Sequence, residues 1–421
     1  MKTIQFARDF FCYALKGDSR YYTWLGILGI LVIPWAYGSY EQLVVKGMIV
    51  AGFTDQISWA LYEGNFIFLV GVAAAAVTVV FPYYAYRPKP GERRKTSQQA
   101  LKNVVLIGEM LAITAVTMVM IFIIYHMGRP DRLWHIIPVI GIFNFPHSML
   151  TWDVLVLNVY LVLNIVCGFY YMYKKYTGEP INENFYMPLV YISIVWALSI
   201  HTVTAFLINT MPPRPMWFHS VMPIKFISTA FAGGSAIIIV ALMVYRKFTK
   251  LEISDEAINF ISQVTVWCLG IALFLIMSEI VTELYPSTEH SFQIKYVLFG
   301  MMGLSKLVPW MWTSLTIMVV SFILLLIPGI RKNYTILPVI CTLLFIGIWI
   351  EKGMALVIPG MVPSPIGELS EYSPTWIEIF ITIGNWAIGL IMFTILSKGA
   401  VGVMLGEVRH PSAIGKEVAH H

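Results

Sequence analysis

Asp153 follows a proline, a histidine and a tryptophan into an otherwise aliphatic and aromatic run, FNFPHSMLTWDVLVLNVYLVLNIVCGFYYMY from Phe143. An ionised carboxylate near hydrocarbon costs several kcal/mol or more unless it is paired or wetted, so an acid kept there is a candidate for function. Tyr160 and Asn164 follow Asp153 at i+7 and i+11, which returns to nearly one face of a helix. That face is expected to point into a bundle, with His147 and Trp152 framing its mouth. Upstream, Trp59, Tyr62, Asn65 and Phe66 recur at three- and four-residue spacing beside Glu63, making an aromatic and amide face. An acid, an imidazole such as His147 or His201, an amide and flat aromatic walls suit a quinone head group. Its carbonyls accept hydrogen bonds, and its redox chemistry moves two protons with two electrons. That is general acid–base work in a partly apolar cleft.

More ionisable residues lie in or beside apolar runs: Glu109, Lys225, Glu279, Glu283, Lys306, Glu351 and Lys352. Glu279 and Glu283 are four apart and share a helical face. Glu109, Glu279, Glu283 and Lys306 form a candidate proton route; the opposing reading is that the charges of the second half neutralise one another. Asp153 has its own plainer reading, a carboxylate bonded to Trp152, Asn158 or a neighbouring helix. Trp59 and Tyr62 equally fit an interfacial aromatic belt.

The elements that must position these residues are membrane helices. Of 421 residues 58% are hydrophobic and 12% charged, about half the charge of a soluble domain. The net charge of +5 is not gathered into a patch, so nucleic acid is not an expected partner; membrane lipid is. Cys12, Cys167, Cys268 and Cys341 lie far apart, without the spacing of an iron–sulfur or covalent haem site. No metal site is expected. The first twenty residues are polar and carry no cleavage pattern, so no signal peptide is expected.

Apolar runs long enough to cross hydrocarbon as helices number ten. They run approximately over 22–40, 57–86, 101–126, 149–173, 186–209, 220–245, 258–284, 301–327, 335–358 and 375–396. The segment 131–141 is too short and proline-bound to span and is expected along the interface. With an even number of spans both termini share a side, and twenty of the 28 Lys and Arg residues fall there, many in RPKPGERRK from Arg87. The positive-inside rule makes that side and both termini cytoplasmic, in a multi-pass protein of the cytoplasmic membrane. Glu63, Asp153, His201, Lys225, Glu279, Glu283, Lys306, Glu351 and Lys352 then all lie toward the outer face. Glu109 alone belongs to the inner half.

YEQLVVKGMIVAGFTDQISWALYEGNFIFLVGVAAAA from Tyr40, GRPDRLW from Gly128 and PHSMLTWDV from Pro146 resemble the NrfD, or polysulfide-reductase membrane-subunit, family. The similarity covers nearly all of the chain and is nearest to its ten-span, DsrP-like branch. The resemblance implies two four-helix bundles plus flanking helices, all α. It divides the chain into 1–56 with the first span, 57–210 as a first bundle holding the quinone site, 211–358 as a second bundle, and 359–421 with the last span and a cytoplasmic tail. It also implies a subunit without haem or iron–sulfur centre, exchanging electrons between menaquinone or another quinone and an extracytoplasmic ferredoxin-like iron–sulfur subunit. Further cytochrome and iron–sulfur subunits of a Dsr-type complex are implied partners. Some family members use a histidine on the second span; Tyr62, Glu63, Asn65 and Phe66 stand in that stretch here.

Two other functions compete. A haem b cytochrome would need facing histidines at matched depth, and His201 with His126, His147 or His219 is the available pairing for one haem. An ion or proton transporter would use the glutamate and lysine set.

Overall fold

The computed structural model describes residues 2–85, 100–286, 291–364 and 366–413. The RPKPGERRK stretch that weighs most in the charge bias lies outside the described residues. Among the described residues all regular structure is helical, apart from one isolated bridge between Met301 and Leu304.

Among the described residues ten helices are long and apolar enough to cross a membrane. In chain order they are Ser19–Val45, Leu61–Tyr84, Lys102–His126, Met149–Thr177, Glu183–Asn209, Met222–Phe248, Asp255–Leu284, Val308–Leu326, Leu337–Met361 and Trp376–Leu405. They are called the first to tenth spans. The first helix and the end of the tenth span fall at one end of the molecule, called proximal here, where Tyr13 donates to Glu407 at 2.5 Å and Tyr176 to Asp9 at 2.7 Å. The opposite end is distal.

Spans two to five pack as one group and spans six to nine as another, joined where the second and fifth spans meet the sixth and the second meets the ninth. The first and tenth spans pack on each other, and the tenth on the third. The second span is the axis of the molecule. Every residue from Leu61 to Ala74 is buried, which suits a helix that is apolar all round and therefore has no lipid-facing stripe. Small residues let its neighbours approach closely: Gly64 backs onto Gly353 of the ninth span, and Gly71 faces the His201 ring.

This axis is broken. Its helix stops at Ala74 and resumes at Val77. Backbone groups released inside a bundle must find partners, and hydroxyls from neighbouring turns and spans supply them. Tyr160 donates to the Ala73 carbonyl at 3.1 Å, Thr78 to that of Ala75 at 2.7 Å, and Ser235 to the Thr78 hydroxyl at 3.2 Å. The ninth span also changes form, passing after Lys352 into a π-turn at Gly353–Val357.

Two span edges differ from the sequence expectation by more than five residues, for local reasons. The eighth begins at Val308, because Gly300, Met302 and Gly303 have positive φ and turn the chain before it. The tenth runs past Leu396 to Leu405 and stops where Gly406 takes the left-handed conformation; Lys398 stays in the helix with its ammonium over the Tyr21 ring. The segment after the third span forms a 3-10 turn, Pro130–Ile136, with Leu133, Trp134, Ile137, Val139, Ile140 and Ile142 exposed. An exposed apolar rim fits its expected place along the interface.

Candidate functional site

At the distal end the chain between the first and second spans is irregular from Ala51 to Ala60. It is held by the buried carboxylate of Glu378, which accepts from the backbone of Gly52 and Thr375 and from the Tyr372 hydroxyl, each at 2.9 Å. Tyr372 in turn accepts from the Leu61 N–H at 3.2 Å. Burial, then the nearby Glu378 charge, holds the Tyr372 phenol well above its ordinary pKa, so it stays a neutral donor. This tie fixes Phe53 to Ser58 over the distal end of the third span.

Between them lies a cleft of about 450 Å³ lined by Met48, Ile49, Phe53, Thr54, Asp55, Ser58 and His126. His126 closes the third span, and its Nδ1 lies 2.9 Å from Glu63 Oε2 on the second. The Phe53 ring stands 5.6 Å from the His126 ring and 5.7 Å from Tyr62. A carboxylate 2.9 Å from one nitrogen of an imidazole steadies the imidazolium, leaving the other nitrogen to exchange a proton. With an aromatic wall beside it, the cleft can bind a flat ring and take protons from it.

The sequence candidates divide among three places. Glu63 backs the cleft. Tyr62 lies behind Phe53, fully buried, and spends its hydroxyl on Gln42 at 2.7 Å. Asn65 faces another way and ties three spans: its Oδ1 accepts from Trp349 at 2.9 Å and Trp386 at 2.8 Å, and its Nδ2 donates to Leu61 O at 2.7 Å. Trp59 stacks on Trp217 at 5.5 Å; Phe66 is core.

Asp153 and His201 form the second place, each 1% exposed. Asp153 Oδ1 accepts from Thr204 at 2.7 Å. His201 lies against Phe226, ring centroids 5.1 Å apart. His147 is not with them. It is exposed on the turn before the fourth span, while Trp152 donates to Pro146 O at 2.8 Å and packs on Phe145.

Glu279 belongs to the third place, a charge cluster in the second group of helices, where it accepts from Lys225 at 2.5 Å. Glu283 lies one turn further along the same span. Lys306 is outside the spans, exposed, with its ammonium 3.7 Å from Glu371; the turn at Gly300–Gly303 puts it there. Glu109 stands apart on the proximal side, buried beside Gly168. Among the described residues no group of three or more His, Cys, Asp or Glu side chains converges as a metal site.

Sequence reasoning missed the cleft. It weighs His126 only as a haem ligand and does not single out Phe53 or Asp55. The available signal is FTDQISWALYE, a polar, glycine-preceded break between two apolar runs, with a histidine ending the next run.

Comparison with known proteins gives one family. The profile described as polysulphide reductase, NrfD, matches residues 50–363. The chain is 21% identical to a selenate reductase subunit of Mesobacillus selenatarsenatis, over 88% of this chain and 91% of that one. It is 21% identical to a putative dimethyl sulfoxide reductase membrane subunit of Halobacterium salinarum, over 88% of each. It is 18% identical to the Hdr-like menaquinol oxidoreductase integral membrane subunit of Archaeoglobus fulgidus, over 93% of this chain and 98% of that one.

Proposed function

The chain belongs to the polysulphide reductase NrfD family, and from that premise we propose that it is the quinone-reactive membrane subunit of a redox complex. The head group enters the distal cleft. The observation that carries this is His126 on the wall of a cleft of about 450 Å³ beside Phe53, with Glu63 2.9 Å behind it. In the oxidising direction both O–H bonds of a quinol break. His126 takes one proton, with Glu63 beside the imidazolium, and the second passes directly to water at the open distal mouth, by which both leave. The two electrons pass to an iron–sulfur subunit docked at that end, and reduction of a quinone runs through the same groups in reverse.

The finer assignments rest on separate supports. Menaquinone fits the menaquinol oxidoreductase relative from Archaeoglobus. An extracytoplasmic distal end and cytoplasmic termini follow from the bias of basic residues, as does placement in the cytoplasmic membrane. A Dsr-type complex, with further cytochrome and iron–sulfur subunits, draws on the ten spans and on the GRPDRLW and PHSMLTWDV stretches. The division into two bundles, residues 57–210 and 211–358, draws on the two groups of helices. Operation without haem is supported at His201, whose cavity of about 10 Å³ has room for a water but not a porphyrin.

The sequence places Asp153 at the head group. Its 1% exposure instead supports a role in proton movement inside the bundle. Photolabelling the purified complex with an azidoquinone decides between these positions. Labelling of residues 48–58 or His126 is expected. Labelling confined to His147–Asp153, or none that excess quinone suppresses, sinks the cleft assignment.

A further inference from the structure

The cleft chemistry leaves unused a cluster of charged side chains in the interior of the second group of helices. His219, about one-fifth exposed, lies 3.4 Å from Glu279 Oε1, and Glu279 Oε2 accepts from Lys225 at 2.5 Å. Lys225 Nζ is 3.5 Å from Glu351 Oε1, and Glu351 Oε2 is 3.6 Å from Lys352 Nζ. Spans six, seven and nine are joined by this line. Two carboxylates and two ammonium groups balance, so the line is neutral when His219 is neutral. Balance explains how it is tolerated in the interior. It does not explain how the line ends.

Among the described residues Lys352 Nζ has no hydrogen-bond partner, and it rests 3.8 Å from the centroid of the Phe226 ring. It shares a cavity of about 10 Å³ with His201. The Phe226 backbone lies beside that imidazole, yet neither ring nitrogen meets a partner in hydrogen-bond geometry. An ammonium and an imidazole, each 1% exposed, around a water-sized hole are groups that a bound water satisfies. One turn along the fifth span from His201, Thr204 donates to Asp153, whose Oδ2 has no partner among the described residues. The line of ionisable groups therefore leads from the distal surface into the middle of the molecule and crosses between the two groups of helices at Lys352 and His201.

Its continuation is the break in the second span. Tyr160, on the face of Asp153, bonds the carbonyl of Ala73 there. Gly108 packs on Ala76, which places Glu109 on the proximal side of the same break.

We propose that this line is a proton path through the bundle, with a water between His201 and Lys352 as its junction. Each group passes on one proton and receives one. An N–H or O–H bond breaks as the next forms, and the line returns to neutral after each transfer. His219 releases the proton at the distal end and Glu109 takes one up from the proximal side. No oxidant is consumed by the path itself. The proposal goes beyond the quinone reading but draws its driving force from quinol oxidation, and so rests on it.

The test uses the complex purified through a tag on this chain and reconstituted in liposomes. A water-soluble menaquinol analogue is the donor, and impermeant ferricyanide outside selects molecules with the distal end outward. Each quinol gives two electrons to two ferricyanides and releases two protons by chemistry alone. Wild type is expected to release more than two outside, the excess matched by uptake from inside. Lys352→Met is expected to abolish the excess while quinol oxidation stays within about threefold of wild type. If Lys352→Met does not assemble, the charge-balanced Glu351→Gln/Lys352→Met pair is read in its place, and it should still give only two. Only two protons from wild type, or an excess retained in the balanced variant, overturns the path alone. Absence of quinol oxidation by wild type removes the quinone reading and the path with it.

Discussion

His126 Nδ1 and Glu63 Oε2 meet at 2.9 Å, joining the distal end of the third span to the first turn of the second. A histidine at a helix end and a glutamate in the interfacial turn are individually ordinary. With His126 on the wall of a cleft and Glu63 behind it, they make a base whose conjugate acid has a counter-charge.

His126→Gln keeps a polar group in the wall and removes the base. Quinol turnover by the assembled complex should fall by about 100-fold or more on general-base magnitudes. Glu63→Gln should cost less, since the imidazole remains and loses only its orienting charge. Steady-state rates on complexes normalised for assembly check both; wild-type rates in His126→Gln would remove it from the chemistry.

Asn65 illustrates a different role for a residue of the same helix. Its single carbonyl oxygen serves two indole N–H groups from different spans. Asn65→Leu leaves two half-buried indole donors unpaired, which costs up to about 1–3 kcal/mol for each orphaned group. The variant should melt well below wild type in detergent, while the surviving fraction turns over quinol normally. A turnover defect at unchanged melting temperature would move Asn65 from scaffold to site.

The number, order and helical nature of the spans are legible in the sequence because each is a long apolar run, and hydrocarbon admits few alternatives for such runs. Their edges are legible except where local backbone decides them, as at Gly300–Gly303. The burial of Asp153 and His201 is also legible, since a polar residue in an apolar run must face inward. Which polar residues meet is not. Glu63 and His126 lie on separate helices, and the second span is buried on every side, so periodicity leaves its facing surfaces undetermined. Lys352 and His201 meet only because the two groups of helices pack at the second span.

Orientation is open to direct labelling. Ile137 is exposed on the distal rim and Lys332 lies in the proximal turn between the eighth and ninth spans. In intact cells a cysteine at position 137 should react with an impermeant maleimide from outside, and one at 332 only after lysis. The reverse pattern would invert the proposed direction of proton release.

Asp153 gives the sharpest separation between readings. Its Oδ1 accepts from Thr204, but the same hydroxyl lies 2.9 Å from the carbonyl of Ile200 on its own helix. Thr204 is therefore not orphaned when the acid is removed. If Asp153 were only structural, Asp153→Asn would be silent, because an amide oxygen still accepts from Thr204, and Asp153→Leu would be the damaging change. If it touched the head group, either change would lower quinol turnover by about 100-fold. On the proton path, both variants assemble and oxidise quinol, and both lose the protons released beyond two per quinol, since neither side chain exchanges a proton. The last pattern is the expected one. Turnover and proton yield measured on the same two reconstituted variants distinguish all three, and a turnover collapse in Asp153→Asn would return the acid to the quinone.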